Sequence, residues 1–316
     1  MSFGNCQINN DAMIDCTLCP RACHVNRKQG EKGFCGAPAE IVACRSALHF
    51  WEEPCLSGER GSGTVFFAYC PLQCVYCQNY AISKGKTPPQ ANLPPISPER
   101  LAEIFINLQE EEKAHNINLV TPTHFVPRIA KALEQAKKQG LHIPVVYNTS
   151  AFEYPETLRI LEGLVDIYLP DFKYASSEYS RKYSHAENYF AVACCAIDEM
   201  VRQVGTPVFD QEGMMKQGVM IRHLTLPGLL EDSKKVLHTI YDRWYPHVWV
   251  SLMRQYTPLA TVADFPELQE KISDGQYDAL VDYAIDLGIT QGFMQEEEAA
   301  AESFIPLFDG TGIFPK

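Results

Sequence analysis

From about residue 64, short runs of β-branched and aliphatic residues alternate with longer stretches whose apolar positions recur every three to four residues. That alternation is the pattern of a parallel sheet joined by crossover helices. Residues 63–68 read as the first buried strand. Ser97 is placed as an N-cap with Pro98 at the first helical position, and Leu101, Ile104, Phe105 and Leu108 fall on one stripe of the helix that follows. Ile117–Val120 supplies a second strand, and a helix through Ile129, Leu133 and Ala136 ends at Gly140. Residues 143–147 form a third strand, followed by a short helix around Leu158 and Leu161. Residues 165–169, 219–223 and 247–252 complete six strands, each followed by helical periodicity. The turn Asp210-Gln211-Glu212-Gly213 predicts a hairpin ahead of the fifth strand. Residues 87–98, rich in proline, read as a rigid connecting loop, and residues 296–298 as a solvated helix face. The expected fold is α/β: a partial (β/α)6 TIM-like barrel over residues 63–316, preceded by a cysteine-rich N-terminal extension over residues 1–62.

With 46% hydrophobic and 21% charged residues in 316, the chain can bury a large core and lacks the composition of a disordered protein. Its 27 Lys and Arg against 39 Asp and Glu give a net charge of −12, which offers no general attraction to phosphate backbones or anionic lipid. Nucleic acid is therefore not expected as a partner. No apolar run approaches the roughly 18 residues of a membrane span, and the first residues lack a basic stretch followed by an apolar one. A cytoplasmic protein that does not enter a membrane is expected.

Twelve cysteines change the picture. The cytosol keeps thiols reduced and so large a core needs no disulfide staples, so metal binding is the reading to test. Ten of the twelve precede residue 78. Directly after the first strand come Cys70, Cys74 and Cys77, separated by three and then two residues. Three such thiolates suit three corners of a cubane iron-sulfur cluster and leave one iron open to a chelating ligand. Zinc with an open fourth position and three free thiols clustered by chance are the alternatives. Cys16, Cys19, Cys23 and Cys35 form a second set, in a segment without periodicity of its own that needs a staple to be ordered. A structural zinc, an auxiliary iron-sulfur cluster or reduced packed thiols would each fit. Cys44 and Cys55 could replace a member of this set. Adjacent Cys194 and Cys195 point about 100 degrees apart on a helix, so burial as small hydrophobes is the better reading for them.

The thiol spacing, with Tyr76 as the aromatic residue before the last cysteine, resembles the radical S-adenosylmethionine (SAM) superfamily. Within it the chain is similar to the branch that activates glycyl-radical enzymes, specifically to homologues of pyruvate formate-lyase activating enzyme. The resemblance implies a [4Fe-4S] cluster on Cys70, Cys74 and Cys77. There the amino and carboxylate groups of SAM chelate the open iron, and reductive cleavage yields a 5′-deoxyadenosyl radical. It also implies an electron donor such as flavodoxin or ferredoxin, and a glycyl-radical enzyme or a peptide as substrate.

The blocks carrying the resemblance fall at predicted strand ends, where barrel folds place their sites. Thr121-Pro122-Thr123-His124 stands where relatives have a glycine-rich stretch. This departure leaves backbone carbonyls, or the Thr121 and Thr123 hydroxyls, to meet the methionine ammonium. Asn148 and Thr149 end the third strand. Asp171-Phe172-Lys173 ends the fourth and is similar to the family's Asp-x-Lys motif: Lys173 can pair with the methionine carboxylate, and Asp171 can accept ribose hydroxyls or join Asn148 and Thr149 around a small cation. Arg222 and His223 end the fifth strand as candidates for ribose, carboxylate or substrate contacts, although alternation points one of them outward. Gln255 and Tyr256 shape the substrate end. Two other readings stay open: a radical enzyme acting on a small metabolite or peptide without a glycyl-radical partner, and a non-catalytic iron-sulfur scaffold.

Overall fold

The computed structural model describes residues 10–84, 93–295 and 306–314. Cys6, residues 85–92 of the proline-rich stretch and the acidic run 296–298 lie outside them. Two single turns, Asn10–Met13 and Arg27–Gln29, punctuate an irregular N-terminal segment that leads into β1 (Ala43–His49). Sequence reading left β1 inside the extension because its apolar residues are interrupted by Arg45, Ser46 and His49. It runs antiparallel to β2 (Ser62–Phe67), pairing Ala43 with Phe67 and His49 with Ser62, so the boundary expected at residue 62 falls between two hydrogen-bonded strands. The short α1 (Pro54–Ser57) lies between them in sequence.

After β2 come the cysteine loop, α2 (Tyr80–Ser83) and α3 (Pro98–Glu110). The start of α3 follows its sequence signals: the Ser97 hydroxyl accepts the Arg100 N–H at 3.2 Å, and Leu101, Ile104, Phe105 and Leu108 are buried. The chain continues through β3 (Ile117–Val120), α4 (Val126–Lys138), β4 (Val145–Thr149), α5 (Pro155–Leu158) and β5 (Ile167–Pro170). Helices α6 (Ser177–Ser184) and α7 (Tyr189–Val204) precede the expected hairpin of β6 (Val208–Phe209) and β7 (Met215–Leu224). Its turn is fixed by the Asp210 carboxylate, which accepts the Glu212 and Met214 N–H groups, each at 2.9 Å. Then follow α8 (Leu230–Arg243), β8 (Trp249–Met253), α9 (Asp274–Asp286) and β9 (Gly292–Met294). In α7, Cys194 is buried as expected and Cys195 is exposed, because one step along a helix rotates it out of the core.

The sheet order is β1-β2-β3-β4-β5-β7-β8-β9, with β6 hanging on β7. All pairs from β2 to β9 along this path are parallel. The six expected strands are thus β2, β3, β4, β5, β7 and β8, and the fold is a partial barrel of the predicted class. A seventh parallel strand, β9, is too short to show a pattern.

Period-two alternation divides the apolar residues between two cores. Val145, Tyr147, Tyr168, Val219 and Ile221 pack outward under the helices, whereas Val146, Ile167, Leu169 and Met220 point into the lumen. There they meet Cys55 and Leu56 of α1. Because β1 runs down the sheet edge, the chain after it re-enters the barrel from below, and α1 forms its floor. The Leu56 carbonyl accepts the Asn116 side-chain amide at 2.8 Å and locks that position.

Candidate active site

At the upper ends of the strands the backbone is strained in a consistent way. Tyr69 after β2, Gln73 in the cysteine loop, Thr121 after β3 and Ala151 after β4 all have left-handed φ, between 50° and 73°. None is glycine, so each costs about 1–3 kcal/mol that surrounding packing must offset, and such outliers gather at sites. They fold the loops inward over a cavity of about 230 Å³.

Cys70, Cys74 and Cys77 line this cavity together with Tyr76, Thr121, Asn148, Thr149, Asp171, Lys173 and Arg222. Gln255 reaches it too, whereas Tyr256 is buried against the Leu268 carbonyl. Two predicted residues stand elsewhere. Thr123 donates to Glu153 Oε1 at 2.6 Å behind the strand ends. His223 is held between the Phe172 carbonyl at 2.8 Å and the Ser233 hydroxyl at 2.9 Å. A carbonyl only accepts, so Nδ1 carries the proton and Nε2 accepts from Ser233. Burial pushes this imidazole down to about 4, and it stays neutral at pH 7. Alternation therefore sends Arg222 into the lumen and His223 out of it.

Arg222 organises the lumen. Its Nε donates to Asp171 Oδ1 at 2.8 Å, one terminal nitrogen to Glu52 Oε2 at 3.1 Å and the other to Asn148 Oδ1 at 2.6 Å. Lys173 Nζ meets the second oxygen of Asp171 at 2.8 Å. Burial alone would raise the Asp171 pKa, yet Arg222 and Lys173 together hold it below its ordinary value. The Tyr189 hydroxyl accepts the Lys173 N–H at 3.0 Å and donates to the Asp171 carbonyl at 2.6 Å, which fixes this turn. Glu52 also accepts from Asn118 at 3.0 Å. It and Glu53 were missed from sequence: an acidic pair before a proline has no periodicity, and only the return of the chain beneath the barrel places it here.

The cysteine loop is tied to the barrel by a chain of hydroxyls. Tyr76 and Tyr174 oxygens stand 2.6 Å apart, Tyr174 and Ser184 oxygens 2.8 Å, and Ser184 donates to the Cys74 sulfur at 3.0 Å. Burial pushes Cys70 up to about 11 and Cys77 up to about 12. Their thiols therefore keep their protons until a metal displaces them. Among the described residues no three His, Cys, Asp or Glu side chains converge on a point that one ion could occupy. A four-iron cube, which takes one thiolate per iron, asks for sulfurs held apart. Cys70, Cys74 and Cys77 are the cysteines lining the described cavity, so the donor set fits such a cube with one iron left to another ligand.

The N-terminal set is also brought together. Cys19 feels Cys16 and Cys35 electrostatically, and Cys35 feels Cys16 and Cys23, with burial raising the pKa of both Cys19 and Cys35. Gly33 is required beside them, since a Cβ there would stand 2.7 Å from the Cys23 sulfur. Cys44 and Cys55 belong instead to the outer core and the floor. Arg21 lies between the two thiol sets, donating to the Pro71 carbonyl at 2.8 Å and the Ser184 carbonyl at 3.0 Å, with its guanidinium 3.8 Å from the Phe34 ring centre.

A model of the radical SAM superfamily matches residues 64–233, from β2 into α8. The chain belongs to the radical SAM superfamily. The match spans the cysteine loop and every cavity-lining strand end up to Arg222. A radical SAM cofactor set, the [4Fe-4S] cluster and SAM, is therefore implied for this cavity. An uncharacterized protein of Methanocaldococcus jannaschii is 30% identical over 272 residues, covering 84% of this chain and 73% of that protein. Among solved structures, Streptococcus suis SuiB bound to precursor peptide SuiA matches with a TM-score of 0.48 at 12% identity, over 73% of this chain and 47% of that one. The FeFe-hydrogenase maturase HydG from Carboxydothermus hydrogenoformans gives 0.48 at 14%, over 77% and 55%. A domain of pyruvate-formate lyase-activating enzyme from Bacteroides vulgatus gives 0.40 at 12%, over 54% and 92%. The chain spans about half the length of the SuiB and HydG chains. No substrate or partner follows from likeness of this degree. No helix among the described residues is long and apolar enough to cross a membrane.

Proposed function

We propose that this radical SAM protein is an enzyme that abstracts a hydrogen atom from a substrate admitted to the barrel lumen. Cys70, Cys74 and Cys77 would hold a [4Fe-4S] cluster. When bound and reduced by a donor such as flavodoxin or ferredoxin, the cluster and SAM supply the 5′-deoxyadenosyl radical. The chain's own residues bind, orient and shield. Lys173, fixed by Asp171 through its ammonium and by the Tyr189 hydroxyl through its backbone N–H, would receive a carboxylate. Asp171, Asn148 and Thr149 would offer acceptors for sugar hydroxyls, and backbone carbonyls near the strained Thr121 would meet an ammonium. Tyr76 closes the side of the thiol loop.

The observation that carries this reading is that the three thiols open on the same cavity as the Asp171–Lys173–Arg222 network. The test is anaerobic reconstitution followed by dithionite and SAM. Formation of 5′-deoxyadenosine is expected, and a scaffold protein would form none.

Trp51, 59% exposed, also lines the cavity, which favours a second reading in which an extended segment, such as the glycine loop of a glycyl-radical enzyme, enters past it. A glycyl doublet in electron paramagnetic resonance, appearing in a partner only with this protein and SAM, would select it. For the N-terminal set, Cys16, Cys19, Cys23 and Cys35 would hold a second centre, and since no three of them converge on one ion position, an auxiliary cluster fits them better than a zinc ion.

A further inference from the structure

We propose that the lumen between the cysteine loop and the α1 floor is a binding site for a substrate bearing a protonated amine or guanidinium group, received by the Glu53 carboxylate. The proposal rests on the radical SAM reading above and names the substrate chemistry of that same cavity.

Glu53 lines the cavity and is only 7% exposed. Its Oε2 is buried without a hydrogen bond of ordinary geometry, and so is the Ser251 hydroxyl next to it on β8. A buried carboxyl in that state is costly to ionise unless a cation completes it, so it holds its proton until one arrives. The hydrogen bonds of Arg222 go instead to Asp171, Glu52 and Asn148, and Lys173 is held by Asp171. Three carboxyl groups, Glu52, Glu53 and Asp171, thus share the lumen with two cations; the hydrogen bonds of Arg222 go to the other two and to Asn148, although its charge also reaches Glu53. SAM does not answer it, since its single net positive charge is matched by a two-plus core carrying three thiolates. Glu53 is also set apart from the strand-end residues that would receive SAM. It begins the floor segment and neighbours Ser251, which pairs in register with Arg222 two residues below the end of β8. Glu53 and the three thiols line the same cavity, so a cation held by this carboxyl would lie in the space that the thiols face.

The test uses the reconstituted full-length protein and titration calorimetry with agmatine, which carries both an ammonium and a guanidinium. Saturable binding is expected, weakened at least tenfold by Glu53→Gln, while succinate should not bind. Burial raises the pKa of Glu53, so agmatine should also drive proton release, seen as a dependence of the binding heat on the buffer; a merely structural glutamate gives none. If Glu53→Gln does not fold, Glu53→Asp retracts the carboxylate and should weaken binding while keeping the proton release. Equal affinity in wild type and variant, absent agmatine binding, or equal binding of succinate would overturn the proposal. A blocked peptide with one internal arginine, run in competition with agmatine, separates a basic side chain from a free amine as the source of the cation. The binding titration contains no reductant, so absence of 5′-deoxyadenosine in the separate dithionite assay with agmatine binding intact counts against the catalytic reading alone, and the reverse counts against this site alone.

Discussion

The Ser184 hydroxyl donates to the Cys74 sulfur across 3.0 Å, although 110 residues separate them in sequence. The hydroxyl comes from the last residue of α6 and is supplied in turn by Tyr174 and Tyr76. A donor on a cluster thiolate stabilises the more negative, reduced state, because added charge strengthens the bond. Ser184→Ala should therefore make the cluster potential more negative. A hydrogen bond worth ~0.5–1.5 kcal/mol corresponds to about 20–60 mV for one electron. A redox titration followed by electron paramagnetic resonance reads the shift directly, and an unchanged midpoint would remove Ser184 from the ligand environment.

Arg222 is the keystone of the buried charges. Arg222→Met would leave Asp171 and Glu52 without their shared cation, and breaking such a pair costs about 3–5 kcal/mol. The pH dependence distinguishes this from simple loss of packing. In the wild type the Asp171 pKa is depressed, so its contribution is present above the ordinary carboxylate value and is lost as pH falls through the folded value. In the variant, burial without Arg222 raises the pKa of both carboxylates. The penalty then grows as pH rises above the ordinary value and is relieved on acidification. The gap in thermal midpoint between the two proteins should be wide at pH 7.5 and narrow toward pH 5.

How much of this was legible in the sequence follows from how local each signal is. The thiols at 70, 74 and 77 and the Asp171–Lys173 pair are declared by spacing within one loop and one strand end. The strands were found because their apolar runs repeat over four or more residues. β9, with three residues, was not, and β1 was hidden by Arg45, Ser46 and His49, which interrupt its apolar residues. Glu52 and Glu53 carry no pattern at all. Their role depends on an antiparallel edge strand delivering the chain to the barrel floor, which is a tertiary fact. Strand alternation did foretell that only one of Arg222 and His223 would face inward. It did not reveal which, since both can satisfy their hydrogen bonds when buried.

Glu153 shows how a buried carboxylate can be kept protonated near neutrality. Its Oε1 accepts from Thr123 at 2.6 Å, Thr149 at 2.6 Å and Tyr147 at 3.1 Å, yet burial still pushes its pKa up to about 7. A carboxyl whose pKa is raised on folding loses stability as pH rises from the ordinary value to the folded one, and the loss levels off above that. Glu153→Gln keeps an acceptor oxygen and removes the titration. The wild type should lose roughly 2–3 kcal/mol between pH 4.5 and pH 7 from this group, and the variant should lack that slope. Denaturant midpoints across this range measure the difference. Parallel profiles would mean that Glu153 is not the titrating group.

The two thiol sets predict separable phenotypes, because they lie on different segments that meet through Arg21 on the Pro71 carbonyl and Gln73 on the Phe34 carbonyl rather than through shared ligands. Cys74→Ala removes a corner of the radical cluster and should abolish 5′-deoxyadenosine formation while sparing any metal on Cys16, Cys19, Cys23 and Cys35. Cys19→Ala should do the opposite, leaving the reduced-cluster signal intact while loosening the segment docked through the Thr157 hydroxyl on the Leu18 carbonyl at 2.9 Å and Arg128 on the Ala39 carbonyl at 2.6 Å. Iron, zinc and sulfide analysis of anaerobically purified protein sets the baseline: about eight irons for two clusters, or about four with one zinc for a mixed pair. About four irons without zinc would mean that the N-terminal thiols hold no metal. If Cys19→Ala instead removed the only cluster signal present, the radical centre would have to be moved from the barrel loop to the N-terminal set.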